Sequence, residues 1–398
     1  MSPDDDSAAR SERDTPAATS GRDDATRGAE DGDGALDPDR TRYLALLRAH
    51  GTHAVSFQGL ESEMRYFFDG RGAVAYVETG GAWIAGGAPV APRAEIPGVA
   101  EAFVAAAAAR KRRACFFGVE GGVLGDGFRT EVMGEQPILD VASWRAAKAT
   151  HKKLREQVRR ARAKGVVARF VEARELAPGT PLRREVARLE ALWLATRPMP
   201  PMGFLVSVEP FILPGEHRYL VAERDGRAVM FMSLVPIYAR GAWLVEDILR
   251  DPAAPNGTAE LVFDRLLESA SPDETFTHGL APLTGAVSPW LALVRDATSA
   301  LYNFGGLRAF KARLHPARWE PVTLAVPRRG SMLLAIFDSL TAFARGAFVG
   351  FGLRSIARNP GGVAWVLGVP LLAWTALLAL FVALDAGSWM GWARMPLF

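Results

Sequence analysis

The run VEDILRDP at 245–252 holds two adjacent carboxylates and, three residues beyond the second, a guanidinium: Glu246, Asp247 and Arg250. They stand where an apolar strand-like run gives out. A carboxylate there could accept a proton or hold a cation, and a guanidinium could hold a phosphate or an oxyanion. In an extended chain Asp247 faces away from both Glu246 and Arg250; one helical turn would instead bring Asp247 to Arg250. A second strand-like run ends in HGLAPLTG at 278–285, which adds the imidazole of His278 and the character of a loop lining a cleft. At 302–321, YNFGGLRAFKARLHPARWEP sets Arg308, Lys311, Arg313 and Arg318 among Tyr302, Phe304, Phe310 and Trp319. Carboxylate, guanidinium and imidazole at neighbouring strand ends suit a cationic substrate or a proton transfer.

Other chemistries lack their signatures. The six histidines (His50, His53, His151, His217, His278, His315) show no metal-ligand spacing, and neither HExxH nor CxxC occurs, so no metal is expected. No GxSxG elbow and no Walker A loop is present; GVEGGVLGDG at 118–127 lacks the GxGxxG order and reads as a turn-rich loop. No cofactor is expected. The single cysteine, Cys115, excludes an intramolecular disulfide framework and fits a reducing compartment.

A formal charge of +3 over 398 residues conceals an asymmetry. Residues 1–40 carry a net −7, one leucine and no aromatic residue, which predicts a disordered acidic leader without the apolar region of a signal peptide. Residues 41–398 therefore carry +10 and should favour polyanions. The cations concentrate in Trp144–Lys164, with nine Lys/Arg against Glu156 alone. Leu154, Val158 and Ala161 give that segment a narrow helical stripe. Lys152, Lys153, Arg155, Arg159 and Arg160 are its candidate contacts to RNA phosphates or lipid head groups, and a solvated helix face is the competing reading.

The elements that must position these groups alternate between strand and helix. MRYFF, AVAYVE and AWIAGG are short strands between glycine turns, followed by an alanine-rich helix near 97–110 and a buried run at 114–119. Thr180-Pro181 starts a helix; RYLVAE, VMFMSLVPI and AWLVEDIL form an antiparallel meander; helices over about 258–269 and near 289–303 precede a last strand, WEPVTLAV. Two successive units of meander, helix, strand and helix predict a duplicated α+β fold. It divides into 41–178, including the basic helix, and 179–328, holding the candidate catalytic site. Residues 329–362 read as an interfacial amphipathic segment and 385–398 as a short tail. Between them, Val363–Leu384 runs twenty-two residues without a charge, long enough at about 1.5 Å per residue to span a bilayer core of about 30 Å. Arg345, Arg354 and Arg358 before it put the bulk of the chain on the cytoplasmic side of the membrane.

The blocks GEQPILDVASWRAAKATHKKLREQVRRARAKG, MGF, VEDILRDP, GLAPLT and YNFGGLRAFKARLHPARWEPVTLA occur in an order that resembles the C-terminal synthase domain of the bacterial lysylphosphatidylglycerol (aminoacyl-phosphatidylglycerol) synthases. With SFQGLESEMRYFF and AVAYVETGGAWIAGGAPVAP the resemblance covers roughly 55–328. It departs at Ala88 and Leu314, where the family often has aspartate and phenylalanine. The resemblance implies two GNAT-like domains in tandem, and transfer of an aminoacyl group, lysyl or another small or basic one, from aminoacyl-tRNA to phosphatidylglycerol. Residue chemistry and motif match together make Asp247 the candidate base or ammonium contact, with Glu246 its nearest substitute. Arg250 and Lys311 become phosphate or oxyanion contacts, Tyr302 and Asn303 position substrate, and Arg308 meets tRNA or lipid phosphate. The resemblance does not extend to a lipid flippase.

Two other readings compete. A CoA-dependent N-acyltransferase would share the GNAT fold, but it needs a glycine-rich loop at a helix N-terminus, where DPAAPNGTAE offers Gly257 alone. A membrane-tethered RNA- or lipid-binding protein would need no catalytic residue at all.

Overall fold

Asp37 accepts the backbone N–H of Arg40, and Pro38 takes a first-turn position whose N–H has no helical partner in any case. The helix they start, α1 (Pro38–His50), opens the computed structural model, which describes residues 36–197, 202–298 and 303–345. A 3-10 segment, Ala54–Leu60, leads into the antiparallel meander β1 (Arg65–Phe68), β2 (Ala73–Glu78) and β3 (Ala82–Gly86). Helix α2 (Ile96–Ala109) then returns the chain so that β4 (Arg113–Val119) lies parallel to β3, the crossover that a parallel pair requires. β5 (Phe128–Asp140), α3 (Val141–Thr150) and α4 (Lys152–Ala163) follow.

The order then recurs. β6 (Val167–Val171), α5 (Pro181–Ala195), β7 (Arg218–Arg224), β8 (Arg227–Ile237) and β9 (Ala242–Arg250) build a second meander. Helix α6 (Thr258–Ser269) carries the chain to β10 (Thr275–Thr277), parallel to β9. β11 (Ala281–Pro282), α7 (Pro289–Thr298), α8 (Phe304–Ala312), β12 (Arg318–Pro327) and α9 (Met332–Phe343) complete the described chain.

All strands join one sheet, in the order β1-β2-β3-β4-β12-β5-β10-β9-β8-β7-β6, with β11 on β5. The fold is therefore α+β, as expected. The last strand, β12, inserts between β4 and β5, so the sheet has no break at the expected 178/179 division. Gly134 in β5 has φ +151°, and a Cβ there would lie 2.3 Å from the Ala281 carbonyl oxygen, so only glycine lets β11 approach.

Helices cover both faces. Trp144, Leu154, Val158, Phe263, Leu266 and Phe276 pack under α3, α4 and α6 on one face of the second half, while Val186, Leu189, Tyr219, Phe231 and Leu249 form the core under α5 on the other. Asp264 of α6, fully buried, accepts from Trp144 Nε1 (3.2 Å), Lys148 Nζ (2.6 Å) and Arg162 Nη2 (3.0 Å), tying α3 and α4 to α6. Arg113 grips Asp338 of α9 through two hydrogen bonds of 2.8 and 2.7 Å.

The basic segment is two helices rather than one. The chain leaves helical geometry at His151 (φ −90°, ψ 99°) and restarts at Lys152. The acidic leader to residue 35, Tyr302, and residues 346–398 with the expected span at 363–384 lie outside the described residues. Among the described residues no helix is long and apolar enough to cross a membrane.

Candidate active site

β9 pairs with β10 only from Ala242 to Leu244; beyond that the chain after β10 turns away, and Val245–Arg250 keeps β8 as its only strand partner. The register against β8 then slips. Leu234 aligns with Val245 but Ser233 with Asp247, leaving Glu246 as an inserted residue, a β-bulge. Val245 packs toward α6, whereas Asp247 sits beside Ser233, itself paired with Tyr219 in the α5-side core. Glu246 reaches His217, whose ring stacks on Tyr219, so it turns to that side as well. The extended-chain expectation is thus corrected. The bulge puts Glu246 and Asp247 on one face, and Arg250 points away to donate to the carbonyls of Ala254 (2.5 Å) and Pro255 (3.5 Å).

Asp247 is buried; its Oδ2 accepts from Ser233 Oγ at 2.8 Å, and its backbone N–H donates to the same hydroxyl oxygen at 3.2 Å. Burial first, and the neighbouring Glu246 second, push its carboxyl well above the usual range. Beyond the bulge lies a small pocket bounded by Phe57, Leu60, Glu61, Glu209, Ile212, His217 and Glu246. The His217 Nε2 is 3.6 Å from Glu246. Glu209 is held by Ser62, through its N–H (3.1 Å) and hydroxyl (2.7 Å). Glu61 is 3% exposed and neither of its oxygens meets a donor. Burial, then Glu246, Glu209 and Glu63, drive its carboxyl well upward, with Ser207 close enough to oppose part of that shift. Arg40 donates to the Glu61 backbone carbonyl at 3.2 Å, but among the described residues no Lys or Arg nitrogen lies within 4.0 Å of a side-chain carboxylate oxygen of Glu61, Glu63, Glu209, Glu246 or Asp247. Each buried polar group without a partner costs about 1–3 kcal/mol.

The other candidates lie elsewhere. His278 is pressed against Phe263 and Phe310 on the α6–α8 side of the sheet, where burial and Lys311 hold it neutral. Lys311 Nζ donates to three successive carbonyls, His278 (2.7 Å), Gly279 (2.7 Å) and Leu280 (2.8 Å). Burial pushes it down to about 7, but three acceptors match the three N–H bonds of an ammonium and favour the charged form. With all its donors taken, Lys311 pins a loop and has none left for an oxyanion, which corrects its expected role. Asn303 caps α8, its Oδ1 accepting from the Gly306 N–H at 2.7 Å. Arg308 pairs with Glu135 at 2.6 Å and covers the Trp319 ring.

Of the basic candidates, Lys152 and Arg160 flank Glu156 (3.9 and 3.6 Å), and Arg155 donates to the Lys148 and Ala149 carbonyls, closing the end of α3. Lys153 and Arg159 are exposed with no carboxylate within 4.0 Å among the described residues. The same helix bears on the CoA reading. A Cβ on Gly257, at the start of α6, would lie 2.1 Å from the Gln157 carbonyl oxygen, so α4 backbone covers the helix end that a pyrophosphate would need.

Sequence reasoning missed Glu61, Glu209, His217 and Ser233. Glu61 stands in SFQGLESEMRYFF, but nothing local ties it to a strand bulge 185 positions later.

A bulged pair of carboxylates beside a small acidic pocket is chemically able to hold a cation next to a proton acceptor. A profile of the family described as phosphatidylglycerol lysyltransferase, C-terminal, matches residues 44–326, and the chain belongs to that family. It is 24% identical over 321 residues to the phosphatidylglycerol lysyltransferase of Bacillus subtilis (strain 168), covering 75% of this chain and 36% of that one. A stretch of 142 residues, 35% of this chain and 12% of the relative, is 30% identical to the lysylphosphatidylglycerol biosynthesis bifunctional protein LysX of Mycobacterium avium (strain 104). The chain thus spans about a third or less of the curated relatives it matches. The solved L-PGS from Bacillus licheniformis shares the fold, with a TM-score of 0.64 at 24% identity over 78% of this chain and 97% of that one. So does a C-terminal domain from Agrobacterium fabrum described as that of a lysylphosphatidylglycerol synthetase, with a TM-score of 0.66 at 24% identity over 77% and 98%.

The unpaired Glu61 makes a measurable demand on stability. Its folded pKa is raised, so its contribution is complete below the ordinary carboxylate range and is lost as pH rises through the folded value. Glu61→Gln removes that loss. Urea unfolding should show the variant gaining about 1–3 kcal/mol on the wild type near pH 8, and less near pH 5. A variant less stable than the wild type at both pH values would mean that Glu61 is already compensated.

Proposed function

We propose that this protein transfers an aminoacyl group from aminoacyl-tRNA to the glycerol hydroxyl of phosphatidylglycerol or a related anionic lipid. The observation that carries the reading is the same-face pair Glu246–Asp247 beside the buried Glu61, neither of whose carboxylate oxygens meets a donor among the described residues. An aminoacyl ester brings the missing positive charge.

The reaction exchanges one ester for another and needs no ATP. The lipid hydroxyl oxygen bonds to the aminoacyl carbonyl carbon, the bond from that carbon to the tRNA ribose oxygen breaks, and the hydroxyl proton ends on the departing oxygen. Asp247 is the group to relay it. A carboxyl with a raised pKa is a stronger base once ionised, the incoming ammonium favours ionisation, and Ser233 fixes its orientation. Lys311 holds the loop at 278–280 in place. The recurring order of meander, crossover helix and parallel strand supports two GNAT-like units in tandem, joined through β5 and β12. The covered α6 terminus speaks against CoA as donor.

Asp247→Asn keeps size and loses basicity. In cells making the variant, lipid extracts should contain the ninhydrin-positive phospholipid at about a hundredth of the wild-type rate or less. A near-normal rate would make Asp247 structural. No such lipid from the wild type would favour the binding-protein reading.

The exposed cations of α4 supply the tRNA contact in this proposal. Replacing Lys153 and Arg159 by glutamine should reduce the slope of log K against log salt for tRNA by roughly 0.7–0.9 per lost phosphate contact. An unchanged slope would return α4 to a solvated face.

Anchoring follows from the charge-free run at 363–384 with its preceding arginines, which makes the protein a cytoplasmic-membrane enzyme with residues 41–328 inside. Protease added to intact spheroplasts should leave that region uncut; cleavage within it would overturn the topology.

A further inference from the structure

We infer that α9, α7 and the turn at 204–206 form a docking surface that lies flat on an anionic phospholipid bilayer. The inference is independent of the transferase reading and concerns a surface away from the β9 bulge.

Helix α9 is inside out. Its residues 335, 338, 339 and 342, spaced as one helical face, lie inward and include the polar ones: Asp338 is buried against Arg113 of β4, and the Ser339 hydroxyl is 3.9 Å from the Cys115 sulfur. The opposite stripe holds Leu333, half-buried, and Phe337 and Leu340, both exposed. A helix facing water puts its charges outward and its large apolar side chains inward. The reverse arrangement suits apolar surroundings, and the only ionisable side chain of α9 is neutralised from within.

The apolar side continues beyond α9. Among the described residues six large hydrophobic side chains are exposed, and four of them, Val206, Leu293, Phe337 and Leu340, lie on elements that also fill one core cluster through Leu205, Leu291, Ala335 and Ala342. Leu293 of α7 is 70% exposed. The other two, Val167 and Leu192, belong to β6 and α5. Exposed apolar groups gathered on one side mark a surface that meets another apolar body.

Charge and chain order favour a bilayer as that body. Arg328 and Arg329 precede α9 and Arg345 follows it, all three exposed, while the acid within the helix is turned inward. A second copy meeting this face would bring cations against cations, whereas phosphate head groups neutralise them. α9 is also the described element nearest in the chain to the charge-free run at 363–384. The intervening 346–362 can reach at most about 60 Å, which keeps α9 close to any membrane that run enters.

The test places an environment-insensitive thiol dye on Leu340→Cys, Leu293→Cys or, as the control, Val167→Cys in the full-length protein. The native Cys115 is buried and its thiol is pushed up to about 12 by that burial, so the introduced cysteine takes the dye. Each protein is reconstituted into phosphatidylglycerol vesicles, and the dye is quenched by nitroxides on the lipid chains or by iodide in the water. The nitroxide-to-iodide quenching ratio at 340 and 293 should exceed that at 167 by about threefold or more. Phosphatidylcholine vesicles, or Arg328→Gln with Arg329→Gln, should lower the ratio at 340 and 293; no change with either would overturn the anionic preference. Equal ratios at all three positions overturn the docking surface. So does a dye at 340 shielded from iodide yet untouched by lipid nitroxides, which would mean that a second copy or the chain's own apolar run covers α9. If the protein sediments with vesicles while 340 stays as open to iodide as 167, the span at 363–384 stands and the docking surface falls. Protein that does not sediment with vesicles sinks both, and the transferase reading is judged by its own assay.

Discussion

One extra residue in β9 sets the character of the site. A strand without a bulge would have sent Val245 and Asp247 to one face and Glu246 to the other, leaving a single carboxylate over the α5-side core. The slip against β8 instead turns both acids to the side of His217 and Tyr219, where Glu61 and Glu209 arrive from a different part of the chain. Burial disfavours a charged carboxylate, and like charges beside it add to that, so the carboxyls of Glu61 and Asp247 are both shifted upward, by burial first and by their acidic neighbours second. In the proposed reaction the pairing partner belongs to the substrate.

The opposite face obeys the reverse rule. There every buried charge has been given partners from the protein itself: Asp264 three donors from α3 and α4, and Lys311 three carbonyls from one loop. Removing one member of such a set leaves the rest buried and unpaired, a loss of about 3–5 kcal/mol for a charged pair. The contrast between the two faces separates scaffold from site more clearly than residue type does. Lysine 311 and Asp247 are both buried and both shifted; only the carboxylate keeps company that it cannot neutralise.

Much of the scaffold was legible in the sequence because local rules decided it. Thr180 and Pro181 start α5, the Asp225-Gly226 turn joins β7 to β8, and the alanine-rich run forms α2. β5 was not legible: FRTEVMGEQPILD lacks a clean alternation, and what makes it a strand is β12, nearly two hundred residues later. The break at His151 escaped notice since no glycine or proline marks it. At the site, Glu246 and Asp247 were visible as adjacent acids, but their common face depends on a register slip that only the partner strand reveals. Glu61 and Glu209 were invisible for the same reason. Their importance is a matter of what surrounds them, and the surroundings are assembled from distant segments.

The joint between the acidic pocket and the end of the described chain follows from that assembly. Phe204 and Leu205 adopt left-handed backbone (φ 44° and 52°), an uncommon conformation for bulky residues that costs of order 1–3 kcal/mol each unless the surroundings impose it. Here they do. The Phe204 N–H is bonded to Glu63, the Leu205 carbonyl accepts from Gln58 at 2.7 Å, and the Gly203 N–H donates to the Phe343 carbonyl of α9 at 3.0 Å. Both side chains fill the core beneath α9, whose outer side exposes Phe337 and Leu340 at 46% and 47%. A single strained turn therefore touches Gln58, which lines the pocket with Glu61, as well as Glu63 and the helix α9. A shift of α9 cannot leave that turn untouched, because the turn's backbone hydrogen bonds end on both sides. Gly203, Phe204 and Leu205 thus hold α9 in register with the segment at 58–63 that carries Glu61.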